Sequence, residues 1–349
     1  MKQFVKGLGL CLCGLMISAA LSEPAEACTR ALYKGENGLV ITGRTMDWME
    51  DMKTNLYLLP RGIERRGAVG DKAVVWKAKY GSIVASGYEI GTADGMNEKG
   101  LVANALYLAE SSYQRPGDNR PELNISLWAQ YVLDNFATVE EAVQALSQDL
   151  FQVIAPQLPN GSGAQLHLSI SDPSGNSAIF EYFDGKIVVH AGPQYVVMTN
   201  SPRYDKQITL NDYWQQIGGL VMLPGTNRAS DRFVRASFYI GAIPKTGSFH
   251  EGVAGVFSVM RNVSVPLGIS TPNQPNIAST IWRTVSDQTN KVYYYESTLS
   301  PNIFWINLAD LNFAENASVK KLALSEGQIY AGNASAMMVN SKPFVFMIE

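Results

Sequence analysis

One residue in this chain can supply a nucleophile and its base together. Cys28 follows Ala25-Glu26-Ala27, a small-x-small site of the kind that ends a cleavable secretion signal. A chain cut after Ala27 begins with Cys28, so the thiol shares its residue with a free α-amine. Such an amine titrates at roughly 7.7–8 and a cysteine thiol at roughly 8.5. Near neutral pH a useful fraction of the amine is unprotonated and can take the thiol proton, directly or through a water. A thiol nucleophile needs an adjacent base, and here the base is covalently attached.

The signal has the expected parts. Lys2 and Lys6 make its basic start, Leu8 to Leu21 its apolar core, and Pro24 breaks any helix before the cleavage site. The apolar run is short for a membrane span, and no stop-transfer charges follow it. The sequence therefore divides into a signal, residues 1–27, and a single catalytic domain, residues 28–349, exported to the periplasm or beyond. One competing reading shares the residue. Bacterial lipoproteins also mature at a cysteine, and a lipid-anchored binding protein would carry its anchor on Cys28. Ala25 and Glu26 fit that signal poorly, and lipidation would block both thiol and amine.

Cys11 and Cys13 leave with the signal, so Cys28 is the lone mature thiol and no internal disulfide can form. Hydrophobic residues make up 46% and charged residues 17%, enough for a sizeable globular core. The signal's two lysines are offset by Glu23 and Glu26, so the net charge of −3 survives cleavage. That balance gives no electrostatic case for nucleic acid or for an anionic membrane surface. A small molecule is the expected partner, with no stable membrane association once the signal is removed. His167, His190 and His250 lack the paired spacing of a zinc site, so neither metal nor cofactor is expected. His167 and His190 fall in apolar strands and read as core or edge residues. A Cys–His pair using one of the three stays open as an alternative.

These groups need a frame. Thr29–Lys34 and Leu39–Thr45 read as a hairpin turned by Gly35-Glu36-Asn37-Gly38. Val74–Tyr80 and Ser82–Tyr88 read as a second pair, and Leu101–Leu108 as a further strand. Asn124 caps a helix carrying Ile125, Trp128 and Val132, and Thr138-Val139-Glu140-Glu141 opens another. Strands follow at Gln165–Ser171, Ser177–Tyr182, Lys186–His190 and Tyr195–Thr199. Helices are predicted at Ser230–Ile240 and His250–Asn262, then strands at Thr280–Asp287, Lys291–Glu296 and Phe304–Leu308. Strands, helices and strands again, with hairpin-length turns, predict antiparallel sheets in an α+β domain.

The hairpin returns Gly43-Arg44-Thr45-Met46-Asp47-Trp48 beside Cys28. Arg44 there would favour the thiolate, and Asp47 would orient the amine. A plain surface ion pair is the bland reading, worth little. Residues 44 and 47 face opposite sides of a straight strand, so both reach Cys28 only if the strand ends or bulges near Met46.

Cys28-Thr29-Arg30 followed by that segment resembles the choloylglycine hydrolase family, whose members include bile salt hydrolases and penicillin V acylases. Asp94-Gly95-Met96-Asn97-Glu98-Lys99-Gly100-Leu101, Met198-Thr199-Asn200-Ser201-Pro202, Leu223-Pro224-Gly225 and Ser230-Asp231-Arg232-Phe233-Val234-Arg235 match in order. The resemblance implies a four-layer αββα sandwich of N-terminal nucleophile hydrolases that cleave linear amides. It implies Cys28 as nucleophile and base, Asp47 orienting the amine, and Arg44 supporting thiolate and substrate. Asn200 becomes the oxyanion donor and Arg232 completes the charge network, with Arg235 its nearest rival. Many bile-salt-cleaving members carry Asn where this chain has Tyr107. An aromatic there is more typical of penicillin V acylases, and Tyr107 with Trp48 would form an apolar acyl pocket. Thr54-Asn55-Leu56-Tyr57-Leu58-Leu59-Pro60-Arg61-Gly62 resembles the Gram-negative branch, whose members also cleave acyl-homoserine lactones. Bile salt hydrolysis is the alternative activity. Family members commonly assemble as tetramers, so a homotetramer is part of the same expectation.

Overall fold

The computed structural model describes residues 28–159, 161, 163–219, 221–269 and 278–348; the expected signal, residues 1–27, lies outside them. The predicted hairpin forms. Strand β1 (Thr29–Lys34) pairs antiparallel with β2 (Val40–Asp47) from Thr29 opposite Thr45 to Lys34 opposite Val40. Asn37 and Gly38 make the turn with φ of 53° and 75°, a left-handed region that suits Asn and Gly best. β2 runs two residues further than its pattern predicts, and this extension brings Met46 and Asp47 into the sheet.

Two large sheets form the middle of the molecule. The first has seven strands, with β1 and β2 flanked by Val197–Met198 on one side and Thr280–Asp287 on the other. Val292–Ser297 and Ile303–Asn307 extend it antiparallel. The second has nine strands, with Leu166–Ser171, Val102–Tyr107, Gly91–Asn97 and Ser82–Gly87 consecutive near its centre. Helices α1 (Trp128–Asn135) and α2 (Val139–Leu146) cover the outer face of the nine-stranded sheet. Helices α4 (Ala229–Ala242) and α5 (Phe249–Asn262) lie on the outer face of the seven-stranded sheet, and α3 (Tyr204–Ile217) packs on α4. The order helix, sheet, sheet, helix is the expected αββα sandwich.

Local chemistry accounts for the elements. Thr138 caps α2 by accepting the Glu141 N–H, and the Glu141 carboxylate returns to the Ala137 N–H. Asn124 caps a short 3₁₀ turn, Ile125–Leu127, and α1 starts only at Trp128. One core lies under α1, with Trp128, Val132, Leu133, Leu168 and Phe180. The other joins the two sheets and extends beneath α4 and α5, with Ile41, Met96, Leu106, Val256 and Tyr293. At Gly43 a Cβ would meet Val256 Cγ1 at 2.6 Å, so glycine allows α5 to approach β2 closely.

Some expectations fail for clear reasons. Val74–Tyr80 does not pair with the following strand. Val75–Lys77 pairs with Glu64–Arg66, and the N–H groups of Lys79 and Tyr80 turn to the Asp134 carbonyl of α1. The motif at residues 94–101 is divided: its first residues belong to the central strand Gly91–Asn97, and residues 98–100 turn into Val102–Tyr107. Of Tyr195–Thr199 only Val197–Met198 is strand. α3 has no sequence counterpart, because Tyr204 and Gln207 are the only side chains it buries and no apolar stripe marks it.

Candidate active site

Alternation along β2 decides how the site is divided. Thr42 and Arg44 point between the sheets, toward Ser171 and toward the Ala93 and Ala105 carbonyls. Gly43 faces α5, and Asp47 faces Arg232 of α4. Cys28 stands just before β1 with its sulfur on the inter-sheet side, 3.8 Å from Arg44 Nη2 and 3.7 Å from Met46 Sδ. The strand irregularity lies opposite β2, on Thr280–Asp287, where the register shifts between Thr280 and Trp282. It lets Thr280 face Asp47, and the Thr280 hydroxyl donates to Asp47 Oδ1 at 2.5 Å.

Arg44 and Asp47 therefore approach Cys28 from different sides. The sulfur meets the Asp47 backbone carbonyl at 3.8 Å, not its carboxylate. Burial pushes the Cys28 thiol up, and the Arg44 guanidinium opposes that shift. Arg44 is itself balanced across the sheets by Asp94 at 3.6 Å, and its guanidinium lies over the Trp282 ring. Burial also raises the Asp47 carboxyl, to about 6, with Arg232 the strongest opposing influence.

Arg232 ties the two sides together. It donates from Nη1 to the Cys28 carbonyl at 2.7 Å and to the Thr29 hydroxyl, and from Nη2 to Asn200 Oδ1 at 3.0 Å. Its Nη1 stands 3.7 Å from Asp47 Oδ2, an oxygen with no hydrogen-bond partner among the described residues. Arg235 donates instead to the Pro224 and Thr226 carbonyls, so Arg232 is the arginine at Cys28. Asn200 accepts the Cys28 N–H through Oδ1 at 2.5 Å and donates from Nδ2 to the Tyr107 carbonyl at 2.7 Å.

A cavity of about 80 Å³ opens at the sulfur, lined by Cys28, Met46, Trp48, Tyr88, Tyr107 and Leu166 among others. Tyr107 is buried and donates its hydroxyl to Gln165. Trp48 donates Nε1 to the Tyr88 hydroxyl at 2.6 Å. Both predicted aromatic residues thus line the same space as the thiol.

None of the three histidines is among the sulfur's partners. His167 does other work: Nε2 donates to the Thr199 carbonyl at 2.7 Å, and Nδ1 faces Glu181 at 3.3 Å. Burial raises the Glu181 carboxyl, but its interactions with His167 and His190 outweigh this and hold it at about 2. Glu181 also accepts the Tyr204 N–H, and Gln207 of α3 donates to the Asn200 and Pro202 carbonyls. The segment carrying Asn200 is gripped from both sides. Replacing His167 by leucine leaves buried Glu181 with only the Tyr204 N–H and His190 among the described residues and removes the bond to the Thr199 carbonyl, and stability should fall by about 3 kcal/mol. Denaturant unfolding checks this. His167→Gln, which restores the bond to Thr199, should recover kcat more fully than stability, whereas a Cys–His mechanism predicts that it abolishes turnover.

Sequence reasoning missed Thr280, Trp282 and Gln207, and it gave Thr29 and Met46 no role although both stand in quoted motifs. Thr280 and Trp282 lie far along the chain and have no local signal. Asp94 was quoted within a motif, but nothing in its spacing marks it as the partner of Arg44.

Residues 28–321 match the family model described as linear amide C–N hydrolases, choloylglycine hydrolase family. The chain belongs to the choloylglycine hydrolase family. It is 48% identical to a penicillin V acylase of Pectobacterium atrosepticum, over 97% of this chain and 96% of that one. It is 28% identical to a bile salt hydrolase/transferase of Clostridium perfringens, over 82% and 92% of the two chains. A solved penicillin V acylase from Agrobacterium tumefaciens superimposes with a TM-score of 0.86 at 57% identity, covering 92% of this chain and 99% of that one. As a choloylglycine hydrolase family member the protein is a linear amide C–N hydrolase of the penicillin V acylase and bile salt hydrolase type, acting on small molecules.

Proposed function

We propose that removal of residues 1–27 exposes Cys28 as the N-terminus of an exported, penicillin V acylase-like amidohydrolase, with Cys28 both nucleophile and base. The observation that carries this reading is the arrangement at residue 28. Its nitrogen lies against Asn200, its sulfur opens into an aromatic cavity beside Arg44, and Asp47 Oδ2 has no hydrogen-bond partner among the described residues. A buried carboxylate oxygen without a partner is costly, and an α-ammonium formed at Cys28 is the cation suited to it.

The chemistry follows from these positions. The amine takes the thiol proton, and the sulfur attacks the amide carbon. Asn200 uses one Nδ2 hydrogen on Tyr107; its second is available to the developing oxyanion, a contribution of roughly 3–4 kcal/mol in comparable sites. The ammonium then returns its proton to the departing nitrogen, the C–N bond breaks, and a thioester remains. Water, deprotonated by the same amine, attacks the thioester carbon, and the C–S bond breaks to release the acid and the thiol. Arg44 favours the thiolate, Asp47 holds the amine, and Arg232 fixes Asp47, Asn200 and the Cys28 carbonyl relative to one another.

Tyr107 and Trp48 support an acyl group with a flat or extended apolar body. Penicillin V and acyl-homoserine lactones fit that wall, and bile salt hydrolysis is the second reading, favoured by the Clostridium perfringens relative. In a panel of penicillin V, long-chain acyl-homoserine lactones and glycine-conjugated bile acids, kcat/KM should be highest for the first two. Dominant bile acid turnover would overturn the role given to Tyr107. Intact mass of the exported protein should correspond to an unmodified chain starting at Cys28. A diacylglyceryl adduct there would show the lipid anchor and exclude the mechanism drawn here, since both thiol and amine would be blocked. A homotetramer belongs to the same reading and is checked by sedimentation.

A further inference from the structure

Behind Trp48 lies a second and larger cavity, of about 520 Å³, which the chemistry at Cys28 does not use. Its size falls within the range of roughly 300–1,000 Å³ found for small-molecule sites. It is enclosed by the loop after β2, by the segments on either side of Thr280, by the turn between Val292–Ser297 and Ile303–Asn307, and by residues 324–330. One wall is a ladder of rings. Trp282 lies 5.6 Å from Tyr295, Tyr295 5.3 Å from Phe304, and Phe304 5.6 Å from Tyr330.

Two observations say what this cavity accepts. Around its mouth, Met49, Leu267, Ile269, Leu299 and Ile329 are all exposed, from 39% to 80%. Large apolar side chains scattered singly need no explanation, but gathered around a concavity they mark a ligand surface. Charge then narrows the ligand. Among the described lining residues, Glu50 and Asp51 are the only side chains charged at neutral pH, with no Lys, Arg or His to receive an anion. An anionic ligand would give up its hydration and meet carboxylates. Neutral polar groups, including Ser297, Asn302 and Gln328, can pair with an amide or hydroxyl.

We propose that this cavity is a second binding site, separate from the Cys28 pocket, for an uncharged small molecule with an alkyl or aryl body and a compact polar head. The inference does not depend on how Cys28 reacts. Trp48 forms part of both cavities, and the Trp282 ring that lines this one carries the Arg44 guanidinium at 4.7 Å. An occupant therefore rests on two aromatic residues that also contact the catalytic region.

The test uses the exported, purified protein and two fluorescent probes, uncharged N-phenyl-1-naphthylamine and anionic 8-anilinonaphthalene-1-sulfonate. The uncharged probe should bind one per chain and should not be displaced by saturating penicillin V. Leu299→Glu and Ile329→Glu at the mouth should each weaken it by about tenfold or more, while Leu158→Glu, at a residue that lines the Cys28 cavity and not this one, leaves it unchanged. Both mouth residues are more than half exposed, so their variants should retain the parent melting temperature and dye-free amide turnover. The sulfonate should bind about tenfold more weakly than the uncharged probe. Unaltered affinity in both mouth variants, loss in Leu158→Glu, or displacement by penicillin V would place the probe at Cys28 and overturn the proposal. Equal binding of the sulfonate would overturn the ligand class. A mouth variant that splits an oligomer into smaller species would show a subunit contact and overturn it as well.

Discussion

Cys28→Ala should lose essentially all amide turnover, with kcat down by about 10⁴-fold or more, while the fold persists. The sulfur's neighbours explain why the two effects separate. The side chain is buried at 2% exposure, and its contacts are long ones to Met46, Arg44 and the Asp47 carbonyl. Alanine removes one atom beside an existing cavity, so the stability change should stay within about 2 kcal/mol. The backbone bonds of residue 28 to Asn200 and Arg232 are kept. Steady-state kinetics and thermal unfolding on the exported variant check both halves, with intact mass confirming cleavage before residue 28. Full turnover in that variant would remove Cys28 from the mechanism.

Arg232→Met should be damaging in a different way. The guanidinium is buried and links Asp47, Asn200, Thr29 and the Cys28 carbonyl. Its loss leaves the Asp47 charge without its strongest counterion, a change that typically costs about 3–5 kcal/mol. Activity should fall by roughly 10²–10³-fold or more as Asn200 loses its anchor. The pH profile gives a sharper signature. Burial raises Asp47 to about 6 against the opposing pull of Arg232. In the proposed mechanism the ionised carboxylate is the form that holds the ammonium, so activity should rise with pH through that region. In the proposed enzyme an α-ammonium at Cys28 adds a second cation, which lowers the Asp47 part of the acid limb, while loss of that ammonium's own proton, roughly 7.7–8 in a free chain, adds a second rise. Without Arg232 the limb should move to higher pH. Stability runs the other way: the folded state binds this proton more tightly than the unfolded chain between about 4 and 6, so the Asp47 contribution weakens as pH rises through that window. An acid limb unmoved by the substitution would show that Asp47 does not govern it.

The β1–β2 hairpin was legible because its signals are local: alternating apolar residues and an Asn-Gly turn with φ of 53° and 75°. The α2 cap was legible for the same reason, since Thr138 and Glu141 are three residues apart. α3 was not, because its burial comes from two side chains placed by their neighbours rather than from a stripe. The partner of Val75–Lys77 was likewise invisible, since adjacency in sequence favoured the next strand and the Asp134 carbonyl drew Lys79 and Tyr80 away from it.

Cys28 presents the same division at the site. The sequence alone determined that Cys28, the one thiol outside the apolar N-terminal stretch, directly follows a small-x-small site, and that Arg44 and Asp47 return near it, because those features depend on local spacing. From strand alternation it also put Arg44 and Asp47 on opposite sides of a straight strand, so that an irregularity near Met46 was needed for both to reach Cys28; β2 instead runs on to Asp47. Only the tertiary structure decided where each stands. Arg44 reaches the sulfur between the sheets, and Arg232 collects Asp47, Asn200 and the Cys28 carbonyl from the helix side. Arg232 and Arg235 sit on one helix with the same chemistry, and only packing turns the first toward Cys28 and the second toward Pro224. Contacts between residues some two hundred positions apart leave no local pattern in a chain, because their geometry is set by the packing of whole layers.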